Sequence, residues 1–255
     1  MRRAAAAALV AVAAAGQAAA GELLWPQDGA ERRMLLAEEA VEFRAVGRLE
    51  VGGGRFCTAT LVSEREALTA AHCLFVPRSG APAPLSGMRF VAGARNGTSA
   101  GPPRRVLRAA KPEGFALVQA PRPADLGDDI ALVELDAPAA AEAAVTPFAV
   151  GPLFAGEAAP VIVSYARDRA EAPSINEACP AMGMVEGVLV VACAIERGVS
   201  GAPVLAGEGR GVRVVGVVSA MGLLPGGEDF ALVAPAARWI DALRADLAAQ
   251  AEAAP

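Results

Sequence analysis

Histidine and lysine are scarce in this sequence. Among its 255 residues there is one histidine, His72, and all of the 23 basic residues except Lys111 are arginines. The chain also lacks a basic stripe, and its formal net charge is −5. Because nucleic acids bind to clustered positive charge, we expect no nucleic-acid partner. The single histidine leaves one site for imidazole chemistry near neutral pH.

Long apolar runs are absent after the N-terminus, so the sequence predicts no membrane span there. At the N-terminus, Arg2 and Arg3 precede an apolar run over residues 4–15, and the small residues Ala18–Ala20 follow. This pattern is typical of a cleaved export signal, and the run is too short to cross a bilayer. We expect a signal peptide over residues 1–20, a periplasmic or secreted bacterial protein, and no stable membrane insertion after its removal.

The sequence has only four cysteines and no CxxC motif. In an oxidising compartment four cysteines indicate two disulfides, with three possible connectivities. Along the chain the cysteines fall into two local pairs, Cys57 with Cys73 and Cys179 with Cys193. A metal site is the competing interpretation, but His72 stands beside a cysteine rather than at ligand spacing. We therefore predict disulfides, no metal and no other cofactor.

Short apolar runs recur between Gly and Pro turns, which is typical of an all-β protein. They are Ala45–Val51, Thr58–Val62, Ile130–Leu135, Pro160–Tyr165, Gly187–Ala192 and Val212–Ser219. Residues 21–42 are polar and predict an irregular lead-in. From Pro235 to Ala251 apolar residues recur at three- and four-residue spacing, which predicts an amphipathic helix. The length suits one large domain or two small barrels that share an interface.

Three segments contain the side chains of a nucleophilic site. They are Leu68–Cys73 with His72, Asp128–Leu135 with Asp129, and Glu196–Pro203 with Ser200. A serine hydroxyl becomes a good nucleophile when a neighbouring base takes its proton, and His72 is the candidate base. A buried carboxylate would fix the imidazole tautomer. Asp129 is favoured because it directly precedes an apolar strand, whereas Asp128 and Asp125 are expected to be solvated loop acids.

A glycine stands two residues before Ser200, at Gly198. Glycine lets the backbone turn so that two N–H groups converge on the negative charge of a tetrahedral intermediate. We predict that the N–H groups of Gly198 and Ser200 form this oxyanion hole. Ser200 alone would be read as a turn serine, and His72 alone as a packed histidine. The three segments together favour catalysis.

Taken together, these segments resemble the trypsin/chymotrypsin family of serine proteases, in its bacterial exported branch. The residues that match are Phe56–Thr58, Leu68–Cys73, Asp129–Leu132, Gly198–Pro203, Gly216–Ser219 and Trp239–Ile240. The likeness covers residues 42–245 and keeps the order His, Asp, Ser. It implies an all-β fold of two six-stranded antiparallel β-barrels with a C-terminal α-helix, and an active site in the cleft between the barrels.

The resemblance also implies domain bounds. The first barrel would span residues 43–150 and hold His72 and Asp129. The second would span residues 151–235 and hold Ser200, and residues 236–255 would form the helix and tail. By the same resemblance Cys57–Cys73 is the bridge beside the catalytic histidine, and Cys179–Cys193 ties a hairpin before the oxyanion loop.

One departure concerns activation. Animal digestive members of the family have an Asp directly before the nucleophile, and it receives a new amino terminus when the zymogen is cut. Here that position is Val199, and no Ile-Val-Gly-Gly start follows the signal peptide. We therefore predict no zymogen switch of that type.

The specificity pocket is less determined. The resemblance puts its base six residues before Ser200, at Ala194, which is uncharged. Ser219, Ala220 and Met221 would line the substrate cleft, with Met221 narrowing it. This favours small or apolar side chains on the acyl side of the cut. A shifted loop in which Glu196 or Glu228 supplies a charge is the alternative.

The residues favour an exported serine endopeptidase that acts on polypeptides through an acyl-enzyme, as a monomer. The alternative is a catalytically silent homologue that serves as an extracytoplasmic binding module. A chaperone-protease would need a peptide-binding domain after the barrels. Since only 15 residues follow Ile240, we expect that domain to be absent.

Overall fold

The structure, a computed structural model, describes residues 32–118, 121–139, 145–223 and 229–253. The predicted signal peptide, residues 1–20, lies outside the described residues, and so does Glu228. Within the described part, the chain forms two β units, a few short helical turns and a C-terminal α-helix. No helix in these ranges has both the length and the apolar character needed to cross a membrane.

A two-residue strand opens the described chain, and a closed barrel follows it. Strand β1 is Arg33–Met34. The barrel strands are β2 (Val46–Gly52), β3 (Arg55–Leu61), β4 (Glu66–Thr69), β5 (Arg89–Ala92), β6 (Arg104–Ala110) and β7 (Ala131–Leu135). They pair antiparallel in the order β2-β3-β4-β7-β6-β5, and the ring closes between β5 and β2. The first of the two predicted barrels is therefore confirmed.

Alternating apolar residues fill this barrel. Leu49, Phe90 and Leu135 have no or almost no exposed surface and belong to one apolar cluster. Successive residues of a strand point to opposite faces, so one face of each strand can be apolar. At the end of β4, Thr69 pairs with Ala131 at the start of β7. This pairing sets the chain segments after β4 and before β7 side by side.

The second unit is an extended sheet. Its strands are β8 (Ala149–Val150), β9 (Val161–Ala166), β10 (Arg169–Asn176), β11 (Ala181–Val185), β12 (Val188–Ala192), β13 (Pro203–Ala206), β14 (Arg213–Leu223) and β15 (Asp229–Pro235). The order is β1-β10-β9-β13-β14-β15-β12-β11, with β8 beside β14. The all-β fold class is confirmed.

Closure of the second barrel, in contrast, differs from the prediction. In the described residues no ladder joins β11 to β10, and the sheet has nine strands including β1 and β8. The hydrogen bond from Cys179 N to Pro160 O continues the β10–β9 pairing, and the one from Ala192 N to Pro180 O continues the β11–β12 pairing, so neither joins β11 to β10. Proline lacks an N–H, so Pro180 cannot extend a ladder at this point. The lead-in predicted as irregular also contributes β1 to this sheet.

The helices are short except for the last one. The α-helices are α1 (Pro123–Leu126) and α2 (Ile240–Glu252), and the 3-10 turns are Glu39–Val41, Ala71–Leu74, Leu85–Gly87, Gly209–Gly211 and Ala236–Arg238. In α2, Ile240, Leu243 and Leu247 are buried, which confirms the predicted C-terminal helix. Gln250 Nε2 donates to Ala109 O of β6 at 3.1 Å, so the helix packs back on the first barrel.

A shared core joins the two units. One buried cluster contains Leu68 and Leu132 from the first barrel and Tyr165 and Val217 from the second sheet. Tyr165 N donates to Thr58 Oγ1 at 3.0 Å, and Tyr165 Oη donates to a carbonyl of the first unit at 2.8 Å. Burial raises the pKa of Tyr165, so its phenol keeps the proton that it donates. These contacts fix the positions of the two units at the cleft between them.

Candidate active site

His72 lies in the 3-10 turn Ala71–Leu74 that follows β4. Its backbone N donates to Asp129 Oδ1 at 2.8 Å, and its ring Nδ1 lies 2.6 Å from Asp129 Oδ2. An ionised carboxylate can only accept, so Nδ1 must carry the proton. In the neutral ring Nε2 then has a free lone pair. This arrangement suits a base that accepts a proton at Nε2.

Asp129 is 3% exposed and lies between α1 and β7. Besides the two bonds from His72, its Oδ2 accepts a 2.5 Å hydrogen bond from Ser219 Oγ. The two neighbouring acids point elsewhere. Asp128 forms an ion pair with Arg238. Asp125 lies in the first turn of α1, where its carboxylate accepts hydrogen bonds from the backbone N–H and the guanidinium of Arg122, and the guanidinium lowers the pKa of Asp125. Of the three candidate acids, Asp129 is the one beside His72.

Ser200 lies in the turn before β13 and faces the same cavity as His72, a space of about 310 Å³. The turn is held from both sides: Thr58 N donates to Ser200 O at 2.9 Å, and Gly201 N donates to Val218 O at 2.8 Å. Gly201 has φ +78°, and a Cβ there would lie 2.3 Å from Thr69 Oγ1. Only glycine fits this close approach of the two units.

The turn before Ser200 orients a peptide group at Gly198. Arg167 N donates to Arg197 O at 2.9 Å. Since a trans peptide directs its C=O and N–H to opposite sides, the N–H of Gly198 points away from Arg167. Gly198 has φ +100°, and a Cβ there would lie 2.9 Å from Arg167 N. Within the described ranges the N–H groups of Gly198 and Ser200 have no acceptor, and both residues line the cavity.

A family model described as Trypsin matches residues 37–240. The chain belongs to the trypsin family. No curated protein sequence matches it significantly.

Solved structures share the fold of this trypsin-family chain at low identity. A Glu endopeptidase in complex with MPD has a TM-score of 0.69 at 16% identity, covering 88% of this chain and 100% of that one. A thermostable serine protease AL20 from an extremophilic microorganism gives 0.61 and 15%, over 76% and 92%. Protease Anisep from Arthrobacter nicotinovorans gives 0.60 and 16%, over 80% and 93%. At these identities the likeness concerns the fold alone.

Two disulfides lie in the described part of this chain. Cys57 is bonded to Cys73, and Cys179 to Cys193. The predicted pairing is confirmed. The sulfurs of Cys57 and Cys73 lie within 4.8 Å of a His72 ring nitrogen. Both are oxidised, so they cannot serve as thiolate ligands, and the group does not fit a metal.

Two cavities meet at His72. Ala220 and Met221 line the 310 Å³ cavity together with Ile195 and Val218, and Met221 is 45% exposed. The second, of about 220 Å³, is lined by His72, Asp129, Ser219 and apolar residues of the chain before β7, among them Phe115 and Leu126. Of the predicted cleft residues, Ser219 lines the 220 Å³ cavity, Met221 lines the 310 Å³ cavity, and Ala220 lines both.

The predicted pocket base, Ala194, is exposed and is not among the residues that line these two cavities. Asn176 Nδ2 donates to Ala194 O at 2.7 Å. Ile195 forms the wall instead. Glu196, the predicted alternative charge, does line the larger cavity. The bond between Ser219 and Asp129 was missed, since the sequence contains no local signal for it.

Proposed function

We propose that this trypsin-family chain is an exported serine endopeptidase of the bacterial branch, acting on polypeptides through Ser200, His72 and Asp129. The observation that supports it most is the pair of bonds from His72 to buried Asp129, in a cavity wall that also contains Ser200. The fold and the family model support the same conclusion.

The first step would be acylation. His72 Nε2 takes the Ser200 Oγ proton while Oγ attacks the peptide carbonyl carbon, and the carbonyl oxygen becomes an oxyanion. The N–H groups of Gly198 and Ser200, which lack acceptors within the described ranges, would donate to it. His72 then passes its proton to the leaving amine, and the C–N bond breaks. An ester between Ser200 and the acyl part remains.

Deacylation would repeat the steps with water. His72 removes a proton from the water as the water oxygen attacks the ester carbonyl, and Ser200 regains its proton as the acid leaves. Throughout, Asp129 keeps the proton on Nδ1 and stabilises the imidazolium that forms. Ser219 would keep the Asp129 carboxylate in the plane where it meets the ring.

On the acyl side we propose a preference for small or apolar side chains. Ile195, Val218 and Ala220 present apolar surface to the cavity, and Met221 partly covers it. A peptide series with Arg, Phe, Ala or Glu at the residue before the cut would test this. Faster cleavage after Arg than after Ala or Phe would contradict it.

We also propose that activity needs no new amino terminus. Val199, at the position before the nucleophile, is 1% exposed and packs in an apolar cluster with Ile195 and Val218. This position of the oxyanion turn therefore has no carboxylate that could bind a new amino terminus. In a series of chains whose first residue is moved stepwise from 21 to 45, no single new N-terminal residue should switch the activity on.

Fluorophosphonate labelling tests the main proposal. The wild-type protein should be labelled on Ser200, identified by mass spectrometry, and Ser200→Ala should not be labelled. His72→Ala should slow peptide hydrolysis by about 10⁴-fold or more. Circular dichroism of each variant checks folding. An unlabelled, folded wild-type protein would favour the alternative, a silent homologue acting as an extracytoplasmic binding module.

Export and the monomeric state belong to the proposal as well. The two disulfides suit an oxidising compartment. The N-terminal sequence of the protein recovered from periplasm or medium should begin at Gly21. Sedimentation analysis should give one mass, that of the monomer.

A further inference from the structure

The candidate cleft has two chemically different sides. On one side of His72 and Ser219 lies the 220 Å³ cavity with Phe115, Val118 and Leu126, which is largely apolar. The 310 Å³ cavity has an apolar end at Ile195, Val218 and Ala220, assigned above to the acyl side, and it continues past His72 to the β2–β3 turn and Pro77, which form the second side. If the acyl part of a substrate lies along β14 at residues 219–221, the part that leaves must pass this second side.

Three arginines line that second side: Arg55, Arg167 and Arg197. Arg55 is half-buried, and its Nη2 donates to Phe75 O at 3.0 Å, beside the Cys57–Cys73 bridge. Arg167 and Arg197 are exposed. Within the described residues none of the three lies in ion-pair contact with a carboxylate. Elsewhere in the fold several arginines are paired, such as Arg33, Arg105 and Arg213.

Charge at this wall has the opposite sign to the chain as a whole. The chain has a formal net charge of −5, and the one acid that lines the cavity is Glu196. Three guanidinium groups against one carboxylate leave a local excess of positive charge. A concave, partly apolar wall focuses such a field toward whatever occupies the cleft. Guanidinium groups bind carboxylates in a planar, bidentate manner and keep their charge at every working pH.

We propose that Arg55, Arg167 and Arg197 select polypeptides with acidic side chains at the first two positions after the scissile bond. Arg55 is held by Phe75 O and therefore loses little side-chain freedom on binding. Arg167 and Arg197 come from the two chain segments that meet at the oxyanion turn, where the bond from Arg167 N to Arg197 O fixes their backbones. This inference rests on the proposed endopeptidase activity and adds its substrate class.

The test uses peptides that are identical before the cut and have Glu, Ala or Lys at the first two positions after it. We expect kcat/KM to be about tenfold higher for Glu than for Ala, and lower again for Lys, because each exposed ion pair contributes a factor of about 1.5 to 5. The ratio of kcat/KM for the Glu peptide to kcat/KM for the Ala peptide should fall as ionic strength rises. Arg55→Gln, Arg167→Gln and Arg197→Gln should each reduce the ratio. Arg210→Gln, an exposed arginine outside both cavities, is the matched control.

Binding of the same peptides to Ser200→Ala, measured by fluorescence anisotropy, separates the two proposals. Label on Ser200 without a preference for Glu, in cleavage or in binding, overturns this inference alone. If Ser200 is not labelled but the Glu peptides bind more tightly than the Ala peptides, the endopeptidase proposal is overturned and the selectivity of the cleft for acidic peptides is kept. If Ser200 is not labelled and the Glu peptides bind no more tightly, both proposals are overturned. A preference for acid before the cut instead of after it also overturns the inference.

Discussion

Ser219 donates its hydroxyl hydrogen to Asp129 across the boundary between the two β units, at 2.5 Å. The oxygen that accepts it, Oδ2, is the one that lies 2.6 Å from His72 Nδ1. Since Asp129 belongs to the first unit and Ser219 to β14 of the second, the orientation of His72 depends on how the two units dock. Ser219 is therefore a positioning residue in the proposed mechanism.

We predict that Ser219→Ala slows labelling of Ser200 by about tenfold, because hydrogen bonds to charged groups contribute about 1.5–3 kcal/mol and only part of this affects the His72 orientation. Asp129→Ala should have a much larger effect, of about 10⁴-fold. Labelling rates with a fluorophosphonate measure both. Ser86→Ala, an exposed serine on the first unit, is the control. Equal rates for wild type and Ser219→Ala would contradict the positioning role.

Local sequence patterns were sufficient for much of the fold and the candidate site. His72, Asp129 and Ser200 each lie in a short motif, and the structure brings the three segments to one cleft. Helix α2 was predictable because its buried face repeats every three or four residues. The disulfide pairs were predictable because their members are close along the chain and match the family pattern.

Other features depend on contacts between distant residues. Ser219 and Asp129 are 90 residues apart, and neither segment indicates the other. Counting back from Ser200 predicts Ala194 as the pocket base, but the Ala194 carbonyl accepts a hydrogen bond from Asn176, and Ile195 rather than Ala194 lines the cavity. Strand β1 has two residues, which is too short for any periodic signal; it exists because its partner β10 has a free edge.

Closure of the second barrel depends on non-local pairing in the same way. Whether β11 meets β10 depends on backbone donors at a few positions, among them Pro180, which has none. The apolar pattern of the strands predicts that they are strands but not where a sheet stops. Opening of the sheet is therefore a property of tertiary pairing that the sequence pattern does not specify.

Gly201 provides a second prediction. A Cβ at this position would lie 2.3 Å from Thr58 O and from Thr69 Oγ1, so Gly201→Ala must move the turn by about 1 Å. A displacement of this size at a reacting group can reduce the rate about 100-fold. We expect labelling of Ser200 to fall by at least that factor.

The control for Gly201 separates crowding from backbone strain. Gly209 also has a positive φ, +53°, but a Cβ there would meet nothing within 4 Å. Gly209→Ala should lower the free energy of unfolding by about 1–2 kcal/mol and leave labelling unchanged. If the two alanine variants lose labelling to the same extent, close packing at Gly201 is not the reason.

The disulfide before the oxyanion turn gives a third prediction. Cys179 and Cys193 are 14 residues apart, so replacing both by alanine should lower the free energy of unfolding by about 3 kcal/mol in the chain-entropy model. Because Cys193 is followed closely by the turn with Gly198, labelling should slow as well. Urea unfolding and labelling below the unfolding transition measure the two effects. A variant with unchanged unfolding and labelling would show that packing alone holds the turn.

Asp136 provides a prediction about acid stability. The carboxylate follows β7 and accepts hydrogen bonds from Arg105 N and Nε of β6, at 3.0 and 2.8 Å. The Arg105 guanidinium lowers the pKa of Asp136 below its ordinary value. The unfolded chain therefore binds the proton more readily than the folded one, and the contribution of this pair is full above the ordinary Asp pKa and decreases as pH falls through the folded one.

Asp136→Asn removes this linkage, so we expect the free energy of unfolding to fall less steeply with acidification below about pH 4 than in the wild type. At neutral pH the variant should be the less stable of the two, and the two curves should converge toward low pH. Urea unfolding at a series of pH values measures both curves. Asp241→Asn, at an acid with no ion pair in the described part of the chain, should leave the wild-type slope nearly unchanged. Parallel curves for Asp136→Asn and wild type would mean that the pair with Arg105 does not contribute to acid sensitivity.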